Sequence, residues 1–112
     1  NYSGAVSERV VQLLLLSRSE FPTAAAVAQQ MYMSESTLQR RLGKEGSRYQ
    51  LLLDQVRYRL ALEYLQGTDL PGAEIAALLG FNNSANFRRS FKRWSGTTPV
   101  RIRQAKHRIG GG

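Results

Sequence analysis

Two short stretches of this sequence set arginine and small polar side chains around a pair of apolar residues four positions apart. In the first, Leu38 and Leu42 are the apolar pair, with Ser36, Thr37, Gln39, Arg40 and Arg41 around them. In the second, Phe87 and Phe91 are the pair, with Ser84, Ala85, Asn86, Arg88, Arg89, Lys92 and Arg93 around them. On a helix, an i, i+4 apolar pair faces a core and leaves the positions between it facing outward. The chemistry such a face offers is hydrogen bonding to base edges. Arg bonds bidentately to N7 and O6 of guanine, Asn or Gln to adenine, Ser and Thr to several edges, and an Ala or Thr methyl touches the thymine methyl. Ser36, Thr37, Gln39, Arg40, Ser84, Ala85, Asn86, Arg88 and Arg89 are therefore the candidate base readers. Arg41, Lys44, Lys92 and Arg93 lie farther round or later along their helices, where they suit phosphates, which position a protein without reading sequence.

These faces need helices to carry them. Apolar residues recur at helical spacing throughout and period-two alternation is absent, so the pattern predicts an all-α fold of about seven helices. Ser7 is placed to cap a first helix bearing Val10, Leu13, Leu14 and Leu16, which ends before Phe21 and Pro22. Thr23 caps a short helix to about Gln30, and Ser34 caps a third through Leu42, ended by Gly43 or Gly46. The longest helix runs from about Tyr49 to Gln66, with Leu52, Leu53, Val56, Leu60 and Tyr64 on its apolar face and Gly67 as its C-terminal cap. Arg59 and Glu63 can pair on its outer side. After a turn at Asp69–Gly72 come a helix to Leu79, the turn Gly80–Phe81, and a helix from Ser84 to about Trp94 capped by Asn83.

The later segments repeat the earlier ones. Val27 and Ala28 correspond to Ile75 and Ala76, Met31 to Leu79, Ser34 to Asn83, Leu38 to Phe87 and Leu42 to Phe91, with one extra residue near Asn82 in the second copy. The register sets Ser36 opposite Ala85, Gln39 opposite Arg88 and Arg40 opposite Arg89. An arginine-rich helix face is ordinarily just solvated surface. Two matched faces, each following a helix and a tight turn, instead describe a duplicated helix-turn-helix whose second helix enters the major groove. The expected organisation is a first helix-turn-helix unit over 1–48, a linker helix over 49–67, and a second unit with a basic C-terminal tail over 68–112.

Charge agrees with that partner. Among 112 residues, 16 Lys and Arg against 8 Asp and Glu give a formal net charge of +8. Glu74 is the last acid, and Arg88, Arg89, Lys92, Arg93, Arg101, Arg103, Lys106 and Arg108 all follow it, so the C-terminal half should feel a phosphate backbone most strongly. There is no cysteine, hence no disulfide framework, and His107 in the tail is the sole histidine, so no zinc set of imidazole and thiolate can form. No base stands near the many hydroxyls to activate one, carboxylates are scattered singly, and no glycine-rich phosphate loop is present. The expectation is a protein that is not an enzyme and holds no cofactor or metal. Apolar runs such as Leu13–Leu16 are far short of a membrane span, and a reducing cytoplasm, at the nucleoid, is the expected location. Phe81, Phe87, Phe91 and Trp94 recur at helical or turn spacing and belong to a core, since duplex readers have no need of exposed stacking rings.

Three segments carry a resemblance: Ile75-Ala76-Ala77-Leu78-Leu79-Gly80-Phe81, then Phe87-Arg88-Arg89-Ser90-Phe91-Lys92-Arg93-Trp94, then Gly96-Thr97-Thr98-Pro99. Together they closely resemble the signature of the AraC/XylS family of transcriptional regulators, and Ser34–Leu42 and Leu52–Leu65 resemble its first unit and linker helix. The resemblance extends from about Val6 to Arg103. It implies a seven-helix domain in which one long helix holds two helix-turn-helix units against adjacent major grooves. A helix of about 18 residues spans roughly 27 Å, comparable with the roughly 34 Å between successive grooves. Two positions depart from the family pattern. Tyr32 stands where the turn glycine belongs, and Gly80 holds that place in the second unit; Ile102 stands where an aromatic residue is usual. If Tyr32 must adopt positive φ, the strain is of order 1 kcal/mol.

The resemblance also implies double-stranded DNA and RNA polymerase as partners, and an N-terminal domain, absent from this chain, for effector binding and dimerisation. The chain starts at Asn1 without an initiator methionine and ends in Gly110-Gly111-Gly112, as a fragment of a longer regulator would, and without the dimerisation domain the fragment is expected to be monomeric. Two competing readings are a basic helical module that binds an acidic protein partner and an anionic-membrane binder. The first has no use for two matched arginine faces, and the second needs an amphipathic basic helix whose apolar face is left unburied.

Overall fold

The computed structural model describes residues 4–18 and 20–110, with side chains described through residue 105. Among the described residues there are seven helices: α1 (Ala5–Leu16), α2 (Ala24–Gln30), α3 (Glu35–Lys44), α4 (Tyr49–Gly67), α5 (Gly72–Leu78), α6 (Ser84–Ser95) and α7 (Pro99–Gly110). No strand occurs among the described residues. The chain divides into two compact units, Asn1–Val56 and Arg57–Gly112. The first half of the long helix, with buried Leu52, Leu53 and Val56, belongs to the first unit, and its second half, with buried Leu60, Ala61 and Leu65, to the second. Tyr64, expected on the apolar face, is only half-buried, and Leu65 takes its place.

In the first unit α3 packs against α1 and α2. Val10, Val11, Leu14, Val27, Ala28, Leu38 and Leu42 are buried together with the α4 residues. The Tyr49 hydroxyl donates to the Pro22 carbonyl and fixes the chain just ahead of α2. Ser7 does not cap α1 as its position suggested: Gly4 is the N-cap, and Ser7 is buried inside the helix. The α1 terminus is satisfied from the far end of α3. The Glu45 carboxylate accepts from the backbone N–H groups of Ser7 (2.8 Å) and Val6 (3.2 Å), a carboxylate cap that also suits the positive end of the helix dipole. A Cβ at Gly4 would collide with that carboxylate.

The Ser7 hydroxyl beside the carboxylate and the backbone N–H groups of Ser7 and Val6 hold the Glu45 pKa below its ordinary value, against a weak opposing effect of burial. A depressed folded-state pKa contributes stability above the unfolded value and loses it as pH falls through the folded one. Glu45→Ala is accordingly expected to lower Tm at neutral pH, and the gap from wild type should close under acid. A gap unchanged across an acid titration of Tm would contradict this cap.

In the second unit α6 packs against α5 and α7. Phe87 and Phe91 are fully buried with Ile75, Ala76 and Leu79. Tyr58 meets Phe91 edge-on at 5.6 Å between centroids, and Phe81 lies 5.7 Å from Phe87 and 6.0 Å from Trp94, so these rings form one aromatic cluster rather than a stacking platform. Gly67 is inside α4 and not its cap. The end of α4 is closed instead by Thr68, whose N–H and hydroxyl both donate to the Tyr64 carbonyl, and by Arg103 from α7. The Arg103 guanidinium donates to the carbonyls of Leu65 (3.2 Å), Leu70 (2.7 Å), Tyr64 (3.3 Å) and Thr68 (3.1 Å). The stretch read from sequence as a basic tail is helical to Gly110, while the side chains of Lys106, His107 and Arg108 lie outside the described residues.

Candidate nucleic-acid interface

Both units build their second helix in the same way. At the end of α2, the N–H of Met33 bonds the Ala28 carbonyl (3.0 Å) and that of Tyr32 bonds Gln29 (3.1 Å). At the end of α5, Phe81 bonds Ala76 (2.9 Å) and Gly80 bonds Ala77 (3.1 Å). Each pair is a Schellman closure, which needs a left-handed residue just past the helix. Gly80 supplies it at φ 83° and Tyr32 at φ 60°, the latter a non-glycine residue held at positive φ. The next helix is then capped by a side chain: Ser34 Oγ accepts from the Thr37 N–H (3.1 Å) and Asn83 Oδ1 from the Asn86 N–H (2.8 Å). Ser34 and Asn83 are thus the caps read from the sequence, and the second turn is longer by one residue.

With about 100° of rotation per residue, the line opposite Leu38 and Leu42 on α3 carries Ser36, Arg40 and Lys44. The line opposite Phe87 and Phe91 on α6 carries Ala85, Arg89 and Arg93. Burial agrees except at Ala85, which is half-buried on the outer line: the apolar pairs are sealed, Ser36, Arg40, Arg41, Lys44, Arg88, Arg89, Lys92 and Arg93 are exposed, and Thr37, Gln39, Ser84 and Asn86 are half-buried on the flanks. Arg41, Lys44, Lys92 and Arg93 occupy last turns, where cations also favour the negative end of the helix dipole. Glu35 is the sole acid in α3, and α6 has none.

Several candidates have protein partners that shape what they can offer. Ser34 Oγ donates to Thr37 Oγ1 (2.9 Å) and lies 3.3 Å from Ser36 Oγ, so the first turn of α3 presents a cluster of hydroxyls. Gln39 Oε1 accepts from the Tyr49 N–H (3.4 Å), capping the start of α4 and leaving its NH2 group as the donor for a ligand. Arg89 Nη2 donates to Asn86 Oδ1, which orients the guanidinium before any ligand arrives.

Other cations are turned to structure. Arg103, one of the cations that concentrate toward the C-terminus, spends its donors on backbone carbonyls within its own unit. Arg57 donates to the Leu79 carbonyl (2.9 Å) and covers the Phe81 ring at 4.9 Å, steadying the turn that leads to α6. Arg59 and Glu63 form the i, i+4 pair, 4.0 Å apart on an open face. The inward roles of Arg57, Arg103 and Glu45 lack any local signal, since their partners are 22 to 39 residues away. Among the described residues no group of three or more His, Asp or Glu is placed to hold a metal ion, and no helix is long and apolar enough to cross a membrane.

Fold and site together define an all-α protein with two helix-turn-helix units, each showing a basic helix face. Residues 27–105 match the family described as "Helix-turn-helix domain". The ornithine utilization regulator of Pseudomonas aeruginosa is 48% identical over 97 residues, covering 87% of this chain and 29% of the relative. The transcriptional regulator VirS of Mycobacterium tuberculosis is 41% identical over 102 residues, covering 88% and 29%. Among solved structures, the transcriptional regulator CdpR of Pseudomonas aeruginosa superposes with a TM-score of 0.85 at 37% identity, over 91% of this chain and 32% of that one. The DNA-binding domain of AdpA, solved in complex with a target DNA, gives 0.79 at 28% identity over 95% and 96%. The chain belongs to the AraC-type helix-turn-helix family, and it spans about three tenths of the length of the curated relatives it matches.

Proposed function

We propose that this chain is the DNA-binding part of a transcriptional regulator, reading duplex DNA by placing α3 and α6 in adjacent major grooves. The observation that carries this reading is the repeated construction: a Schellman turn, a side-chain cap, and an arginine, Arg40 or Arg89, on the line opposite a sealed apolar pair. Ser36, Thr37, Gln39, Arg40, Ser84, Ala85, Asn86, Arg88 and Arg89 face base edges, and Arg41, Lys44, Lys92 and Arg93 face phosphates. The chain catalyses nothing. It acts in the cytoplasm at the nucleoid, as a monomer when separated from the N-terminal domain that in the whole regulator binds effector and dimerises, and it contacts RNA polymerase as an activator.

Sequence reading and phosphate anchoring separate experimentally. Lys92→Ala should weaken binding to preferred and scrambled duplexes by the same factor and reduce the slope of log K against log salt by about one. A titration at several salt concentrations checks both. A Lys92→Ala loss confined to the preferred duplex, with the slope intact, would move Lys92 into the base-reading set.

A further inference from the structure

Tyr32 is held at φ 60° in a turn where the second unit uses Gly80, a conformation that an L side chain adopts only under strain. Nothing in the fold accounts for a tyrosine there. Its side chain is 98% exposed, so the ring covers no apolar surface. A strained, solvent-facing residue in an otherwise regular turn directs attention to function.

The location narrows the partner. Tyr32 precedes Ser34, the cap of α3, by two residues, and in a helix-turn-helix this junction leads directly to the end of the helix that enters the groove. Residues 21–34 contain no acid and no charge, and Gln29 and Gln30 at the end of α2 are exposed alongside Tyr32. This is a surface of neutral donors with nothing to repel an anion until Glu35. Tyrosine hydroxyls are among the groups that bond phosphate oxygens.

We infer that Tyr32 is a phosphate contact peculiar to the first unit, its phenol O–H donating to the DNA backbone beside the groove that α3 enters. The inference rests on the duplex-DNA reading above. A neutral donor releases no counterion of its own, so this contact adds affinity on every sequence without adding to the salt slope, unlike Lys92.

The test uses Tyr32→Phe and Tyr32→Gly, titrated against a preferred and a scrambled duplex at several salt concentrations, with thermal unfolding of each variant. Both variants should lose about fivefold in affinity on both duplexes, with an unchanged salt slope. Tyr32→Gly should at the same time raise Tm by about 3–6 °C, because the turn is relieved of its strain. Higher stability with weaker binding is a combination that a purely structural role for Tyr32 cannot produce. Wild-type affinity retained by either variant overturns the contact and leaves the DNA reading standing. Failure of the wild type to bind any duplex overturns both.

Discussion

Arg89→Ala is expected to weaken binding to the preferred duplex by about 1–3 kcal/mol, or about 5- to 150-fold, and to relax preference at one base-pair position. Arg89 is exposed on the line opposite the sealed Phe87 and Phe91 pair, and its guanidinium is already aimed by Asn86 Oδ1. Preorientation reduces the side-chain entropy lost on binding. Asn86→Ala should therefore act in the same direction but more weakly. Arg40→Ala should relax a different position, because Arg40 belongs to the other unit. Tm should be unaffected in each case, since these side chains support no core. Selection of duplexes with each variant checks the assignment, and an unchanged preference for both arginine variants would remove α3 and α6 from base reading.

Phe91→Ala should act by the opposite route, lowering stability by about 3–5 kcal/mol and specific binding only as a consequence. Phe91 is fully buried, with the Tyr58 ring 5.6 Å and the Phe87 ring 5.9 Å from its centroid, so truncation leaves a void between aromatic neighbours that cannot collapse onto each other. Against a total stability of about 5–15 kcal/mol for a protein of this kind, that is a large fraction. Chemical denaturation gives the number directly. A loss below about 1 kcal/mol would mean that the second unit repacks freely, and that α6 is not fixed by this pair.

What the sequence reveals and what it hides follow one physical division. Thr23, Ser34 and Asn83 were legible as caps because each bonds an N–H three residues ahead, a relation local in sequence. The duplicated turn was legible because Gly80 betrays the left-handed position that Tyr32 fills in the first copy. Ser7 and Gly67 misled for the complementary reason. Both have the residue types that terminate helices, yet α1 is capped by Glu45 and α4 is closed by Thr68 together with Arg103, and no local pattern marks the Glu45 and Arg103 bonds, which span 38 or 39 residues. Arg103 also shows why a charge count overstates the binding face, since a guanidinium donating to four carbonyls is part of the scaffold. Gln39 is intermediate: its place on the helix was readable, its bond to the start of α4 was not.

The central claim, two units each reading its own groove, is tested most directly by selecting this chain's targets from a random duplex library. The account predicts a motif of two boxes about one helical turn apart, bound well above scrambled DNA, with one box degraded by Arg40→Ala and the other by Arg89→Ala. Equal, steeply salt-dependent binding to every duplex would contradict it and reduce the basic faces to nonspecific anchors. No binding at all would turn those faces toward an acidic protein partner.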